Sequence, residues 1–310
     1  MKRDRAYWIR IVRFAAVALV IAAVTAYAGT AIVSGALYAR ALTHPGCGDT
    51  GLTPEDVGIT GARDVAYQTE PRGSADPLTL RAWYVPPKNG VVIILLPGLG
   101  GGRDGMLREG AILAGHDYGL LMTELRSCVH PTGQTTLGYY ESDDLQDGVT
   151  WVLEQPDVEH VGVLGYSLGG VTATLGAAKD SRVEAVVAEG GFYDLAADIV
   201  NKGGTNSLWE TIMFQSILAS FRFETGVRAR DVSPIAAIDQ ISPRPLFLIY
   251  GELEAGQTHP QEQLDRAGEP KQLWIVPEAW HGGYLDVAGE EWEERVIAFF
   301  DAAFGLPQDE

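Results

Sequence analysis

The sequence predicts an α/β fold: a mostly parallel, eight-stranded sheet with helices on both faces, preceded by one N-terminal transmembrane helix. Three observations carry this reading. From about residue 61 onward, short aliphatic runs of strand length alternate with stretches of helical periodicity, the pattern of successive βαβ units. One of those runs, Val91–Leu96 (VVIILL), is apolar at every position, as in a strand covered on both faces. And Phe14 to Ala39 hold no charged residue at all.

At 1.5 Å per residue that apolar run makes a helix of about 39 Å, more than the ~30 Å hydrocarbon core of a bilayer. Lys2, Arg3, Arg5, Arg10 and Arg13 precede it against one acid, Asp4, whereas acids follow it at Asp49, Glu55 and Asp56. The positive-inside rule then makes residues 1–13 a cytoplasmic basic segment and 14–39 the membrane span, with the remaining chain outside the cell membrane. Ala26-Tyr27-Ala28 also resembles a small-x-small cleavage site, so a cleaved signal peptide and a secreted domain stand as the alternative, although the apolar run continues beyond it to Tyr38. His44-Pro45-Gly46 before Cys47 lacks the pattern of a lipid-attachment box. Both readings export the domain. In an oxidising compartment Cys47 and Cys128 either pair or remain thiols, and the sequence leaves both open.

Residues 40–60, rich in Gly, Pro and Thr, read as a linker to a domain spanning 61–305. Val65–Thr69 and Leu78–Val85 flank the turn-rich PRGSADP and suggest a hairpin. After Val91–Leu96 come candidate strands at Gly119–Leu125, Val161–Tyr166, Val183–Glu189, Leu246–Tyr250 and Gln272–Val276. Helical spacing marks Asp143–Leu153, Leu168–Lys179 and Glu290–Phe304. Residues 192–230 break the rhythm with a helical stretch, either a lid inserted between two strands or an ordinary crossover.

The formal net charge of −18 repels phosphate backbones and argues against nucleic acid as a partner. Neither the two cysteines nor the six histidines show metal-ligand spacing, so no metal or other cofactor is expected.

The strongest local signal is Gly165-Tyr166-Ser167-Leu168-Gly169, a G-x-S-x-G placed where a strand ends and a helix begins. A sharp strand-to-helix turn projects the serine hydroxyl at the sheet edge, next to a helix N-terminus that favours developing negative charge. Such a hydroxyl needs a base, and the base an orienting acid. Trp280-His281-Gly282-Gly283, after the last candidate strand, offers His281 as base in the chain order Ser–acid–His. Past the strand LFLIY, Glu254 is the preferred acid, Glu252 the second choice and Asp194 an outside candidate. Val91–Leu96 runs into Pro97-Gly98-Leu99-Gly100-Gly101-Gly102, so the backbone N–H groups of Leu99 and Leu168 are the oxyanion-hole candidates. G-x-x-x-x-G-K-[ST] is absent, which argues against a phosphate loop of that kind. The remaining histidines, His44, His116, His130, His160 and His259, read as structural.

On GYSLGG, LLPGLGGG, RPLFLIYGELE and AWHGG, the chain resembles the α/β-hydrolase superfamily over most of residues 60–305. With the DVSPI run at Asp231–Ile235, it is most similar to a bacterial membrane-anchored branch bordering prolyl-oligopeptidase-like and dienelactone-hydrolase-like enzymes. The resemblance implies Ser167 as nucleophile, Glu254 as acid and His281 as base, with Pro97-Gly98 where that branch usually has His-Gly, and Glu254 where it usually has Asp. The function expected is hydrolysis of a carboxylic ester in a small acyl substrate through an acyl-enzyme. A small-peptide serine peptidase, or a catalytically silent membrane-anchored binding protein on the same fold, are the alternatives.

Overall fold

The computed structural model describes residues 5–71, 77–129, 133–200 and 206–307. Lys2, Arg3 and Asp4, most of the turn between the first two strands, His130 and part of the 192–230 segment lie outside the described residues.

One helix, α1, runs from Arg5 to Thr43 without a break at Ala26–Ala28. It is longer at both ends than the predicted span of 14–39. It stops where His44 meets Pro45, because a residue before proline is pushed out of the helical region.

Eight strands follow: β1 (Arg63–Gln68), β2 (Thr79–Val85), β3 (Val91–Leu96), β4 (Gly119–Thr123), β5 (His160–Tyr166), β6 (Ala185–Glu189), β7 (Leu246–Gly251) and β8 (Lys271–Val276). They form one sheet in the order β1-β2-β4-β3-β5-β6-β7-β8. β2 pairs antiparallel with both β1 and β4, while every pairing from β4 to β8 is parallel. The further helices are α2 (Leu107–Gly115), α3 (Glu141–Leu153), α4 (Leu168–Lys179), α5 (Leu195–Val200), α6 (Leu208–Thr225), α7 (Pro234–Ala237), α8 (Ala255–Thr258), α9 (Pro260–Arg266) and α10 (Tyr284–Phe304).

Successive residues of a strand face opposite sides of the sheet, so the wholly apolar β3 serves two cores at once. Val91, Ile93 and Leu95 pack with Leu113 of α2 and Trp292, Val296 and Phe300 of α10. Val92, Ile94 and Leu96 pack with Leu145 and Val149 of α3 and Ala173 and Ala177 of α4. After β3 the chain moves to β4 on one side, then returns to β5 on the other. The loops leaving β3 and β5 therefore diverge over adjacent strands, in which Leu96, the last residue of β3, is the register partner of Gly165, the last but one of β5. This is the topological switch point at which open α/β sheets form ligand crevices.

The segment 40–60 is not a free linker. Thr135 N–H donates to the Thr43 carbonyl at 2.8 Å, and Gly48 N–H donates to the Gly100 carbonyl at 2.7 Å. Asp104 accepts from both the amide and the hydroxyl of Thr50. Cys47 and Cys128 form a disulfide. Gly and Pro report turns, and a turn docked onto a domain has the same composition as a free one.

In the 192–230 region α6 packs on α1 on one side. On the other, its Phe214, Ile217 and Phe221 join Leu168 and Val171 of α4 in a third apolar cluster. The last helix begins at Tyr284, before the predicted Glu290, with a break at Ala288 (φ −139°, ψ 45°) that splits its periodicity.

Candidate active site

β5 is buried from Val161 to Gly165 and delivers Ser167 to the C-terminal edge of the sheet. There the chain turns so sharply that Ser167 adopts φ 56° and ψ −115°. Its amide donates to the Glu189 carbonyl at 2.7 Å, which ties the turn to the end of β6. The two motif glycines are steric requirements: a Cβ on Gly165 would lie 2.1 Å from the Gly169 carbonyl oxygen, and one on Gly169 only 1.9 Å from that of Leu96. Such overlaps with backbone cannot be relieved by rotating a side chain.

Ser167 Oγ lies 2.9 Å from His281 Nε2, and His281 Nδ1 lies 2.6 Å from Glu254 Oε2. An ionised carboxylate only accepts, so Nδ1 carries the proton and donates it to Glu254. That leaves the Nε2 lone pair of the neutral ring to accept from the serine hydroxyl. His281 sits on the loop between β8 and α10, and the Tyr166 ring lies against its imidazole, centroids 5.1 Å apart. Burial, followed by the Glu254 charge, pushes the Tyr166 phenol up to about 12.

Glu254 is 3 % exposed, just past β7. Its second oxygen, Oε1, accepts from the Gly251 amide at 2.9 Å and from the Tyr284 hydroxyl. Burial pushes this carboxyl up. The hydrogen bonds from His281, Tyr284 and Gly251 outweigh burial together and hold it below the usual carboxylate range. Burial and then the Glu254 carboxylate drive the Tyr284 phenol far above its ordinary value, so it remains a donor at any working pH.

The other two acids point elsewhere. Glu252 accepts from the Glu278 amide at 3.0 Å, and Asp194 accepts from the Ala197 amide at 2.8 Å in the first turn of α5. Of the remaining histidines, His116, His160 and His259 meet Glu293, Glu184 and Glu262, and His44 lies beside Glu224.

The loop after β3 passes close over the serine: a Cβ built on Gly98 would lie 3.4 Å from Ser167 Cβ. Leu99 follows at the surface, 41 % exposed. Leu168 is the first residue of α4, so its N–H has no acceptor within the helix and lies at the positive end of the helix dipole. The loop is braced by the Gly48–Gly100 hydrogen bond and the Gly48–Gly101 bridge, next to the Cys47–Cys128 disulfide.

Beyond Tyr166 lies a cavity of about 300 Å³ whose lining includes Asp104, Glu109, Glu189, Leu107 and Tyr284. Glu189 is buried and accepts from Trp292 Nε1 at 2.5 Å. Burial first, and the Glu109 charge second, push its carboxyl up to about 8. Among the described residues no group of three or more His, Cys, Asp or Glu is placed to hold a metal ion.

Sequence reasoning missed Tyr284, the Gly251 amide and the 47–50 strap. Each acts through space, and nothing in the local sequence marks them beyond Tyr284 standing three positions after His281.

The family model described as X-Pro dipeptidyl-peptidase (S15 family) matches residues 56–287. The chain belongs to the S15 family. That family lies within the α/β-hydrolase clan, and the fold of this S15 member agrees with solved α/β hydrolases. The Pyrococcus furiosus esterase Pf2001 superposes with a TM-score of 0.63 at 21% identity, covering 84% of this chain and 98% of that one. The α/β hydrolase GrgF from Penicillium sp. sh18 gives 0.59 at 21% identity, covering 79% and 99%. A curated relative, the uncharacterized protein PA2218 of Pseudomonas aeruginosa, is 39% identical over 64 residues, 21% of this chain and 17% of that protein. The aligned stretch thus spans about a sixth of the relative's length, whereas the crystal structure of PA2218 superposes over 78% of this chain and 93% of that one, with a TM-score of 0.58 at 21% identity. Membership of a hydrolase family supports an enzyme.

Proposed function

We propose that this S15-family chain is a serine hydrolase that cleaves a carboxylic ester through an acyl-enzyme. The observation that carries the reading is the unbroken relay from Ser167 Oγ through His281 to Glu254, at 2.9 and 2.6 Å. Ser167 attacks the acyl carbon as His281 Nε2 takes its proton. The carbonyl oxygen becomes an oxyanion and receives hydrogen bonds from the Leu99 and Leu168 amides. Glu254 holds the ring and stabilises the imidazolium. The tetrahedral adduct collapses, the bond to the leaving oxygen breaks, and His281 returns the proton to the departing alcohol. Water then adds to the acyl-serine by the same steps in reverse order of roles, releasing the acid and free Ser167. The chemistry needs no cofactor.

The test is labelling with a fluorophosphonate. Wild type should be labelled at Ser167 and Ser167→Ala should not; an unlabelled wild type sinks the reading and favours a silent binding protein.

A second reading, peptidase action on short peptides, is favoured by two observations: the S15 match, and the cavity beside Tyr166, whose Asp104 and Glu109 side chains suit an ammonium group. Turnover of a panel of p-nitrophenyl esters against dipeptidyl amides separates the two.

We place α1 as a single-pass anchor with residues 1–13 in the cytoplasm and the hydrolase domain outside. Its apolar length and the basic residues on its N-terminal side support this, as does a disulfide of the kind kept by oxidising compartments.

A further inference from the structure

Helix α6 lies alongside the C-terminal half of α1 and runs in the same direction. Trp209 Nε1 donates to Thr30 Oγ1 at 3.3 Å and Ser216 Oγ to the Ile32 carbonyl at 2.7 Å, while Glu224, at the other end, accepts from Thr43. The approach is close: a Cβ on Gly35 would lie 2.5 Å from the Met213 carbonyl oxygen.

One face of α6 is apolar and buried, and the opposite face is uncharged and mixed. Phe214, Ile217 and Phe221 face the domain and are buried. Leu208, Ile212, Ala219 and Phe223, at i, i+4, i+11 and i+15, fall within about 60° of one another on a helix. Leu208 is 68 % and Phe223 90 % exposed. Ile212, Ala219 and Phe223, with Ile32 of α1, line an open groove of about 700 Å³ shared with the polar side chains of Thr211, Gln215, Ser216 and Ser220; among the described residues no charged side chain lines it. The exposed Leu208 and Phe223 on this uncharged face are the side chains that a second apolar neighbour would cover.

The membrane supplies that neighbour by length. Counting ~30 Å of hydrocarbon from Phe14 at 1.5 Å per residue ends near Val33. Thr30 and Ile32, the residues of α1 that bond to α6, sit just below that level. The first turns of α6 therefore lie where hydrocarbon gives way to headgroups, and Trp209 there has an apolar body and a polar N–H suited to the interface.

We infer that the Leu208–Ile212 end of α6 is seated in the outer leaflet of the membrane that α1 spans, so that the domain is held to lipid by two helices. This rests on reading α1 as an uncleaved anchor. The inner face of α6 shares an apolar cluster with Leu168 and Val171 of α4, the helix that follows Ser167.

The experiment uses the full chain in phosphatidylcholine vesicles. Both native cysteines are in the disulfide, so one introduced cysteine carries a bimane label. The positions are Leu208→Cys and Ile212→Cys in α6, Val20→Cys in the middle of α1, and Lys88→Cys on the loop between β2 and β3. Fluorophosphonate labelling certifies each variant as folded, and the two α6 positions back each other up. The expected result is loss of emission on adding doxyl-labelled phosphatidylcholine for Val20, Leu208 and Ile212, with iodide quenching only Lys88. Lipid quenching at Val20 but iodide quenching at both α6 positions overturns the inference and leaves the anchor intact. Iodide quenching at Val20 overturns the anchor itself. Protection of α6 from both quenchers, with disulfide cross-linking between chains through Phe223→Cys, overturns it in favour of a second copy on this face.

Discussion

The hydroxyl of Tyr284 donates to Oε1 of Glu254, the oxygen that His281 leaves free. One carboxylate is thus held on both sides, by the imidazole at Oε2 and by a phenol and the Gly251 amide at Oε1. Tyr284→Phe removes one of the hydrogen bonds that keep the Glu254 carboxyl low, so that carboxyl rises. The acidic limb of the kcat/KM profile should move to higher pH, because the carboxylate that orients His281 is then lost sooner as pH falls. At neutral pH the expected loss is about tenfold or less in kcat, against about 10⁴-fold for Glu254→Gln, which presents a donor or an acceptor but no charge to the ring. A titration of activity from pH 4 to 8 in both variants checks this; an unmoved acidic limb in Tyr284→Phe counts against the role.

Ser167 adopts a backbone conformation that suits glycine, with φ 56°. A non-glycine residue held there costs on the order of 1–3 kcal/mol. Replacing Ser167 by Ala removes the hydroxyl and keeps the strain, whereas Gly removes both and loses about 0.5–1 kcal/mol through chain entropy. Both variants should lose turnover by several orders of magnitude. Ser167→Gly should unfold later than Ser167→Ala by about 1 kcal/mol, a Tm difference of roughly 2–4 °C. Differential scanning calorimetry of the pair in detergent decides it, and equal melting points would mean that the turn stores no strain.

Much of this architecture was legible because it is local. A wholly apolar six-residue run must be a doubly covered strand, and a serine between two glycines at a strand-to-helix junction has few other uses. The choice between Glu252 and Glu254 was not legible to the same degree, because two residues in a turn differ only in which way the turn aims them. Glu252 bonds the Glu278 amide, and Glu254 faces His281. Tyr284 and Gly48 contribute across folded distance, and composition marks neither. Nor does the sequence show that residues 44–60 lie against the loop after β3, since docking depends on the partner surface and on a disulfide that sequence left open.

The disulfide joins residues separated by 81 positions and pins the strap that holds Gly100. Closing a loop of that size removes about 4.5 kcal/mol of unfolded-chain entropy at 25 °C. The Cys47→Ser, Cys128→Ser double variant should therefore lose stability by roughly 2–4 kcal/mol. It should also lose kcat more than it raises KM, because the loop carrying Leu99 is no longer braced against the serine. Denaturant unfolding, together with kinetics on one ester, separates the two effects. Unchanged kcat in a destabilised double variant would confine the strap to a structural role.

Glu189 gives the fold its own pH dependence. Its carboxyl is pushed up to about 8 from an ordinary 4.5, by burial and then by the Glu109 charge. Below 4.5 it is protonated in both folded and unfolded chains and has no influence. Between 4.5 and 8 the folded chain keeps a proton that the unfolded chain has released. The folded state binds more protons across that window, so stability falls as pH rises through it, by an amount on the order of a few kcal/mol. Glu254 acts with the opposite sign: its carboxyl is held low, so its contribution is present above the ordinary carboxylate value and is lost as pH falls through the folded one. Glu189→Gln keeps an oxygen to accept from Trp292 Nε1 and removes the titration. It should flatten the decline of stability between pH 5 and 8 while leaving the loss at acid pH in place. Urea unfolding at half-unit steps across that range measures both limbs. An undiminished decline in Glu189→Gln would assign the slope to other groups.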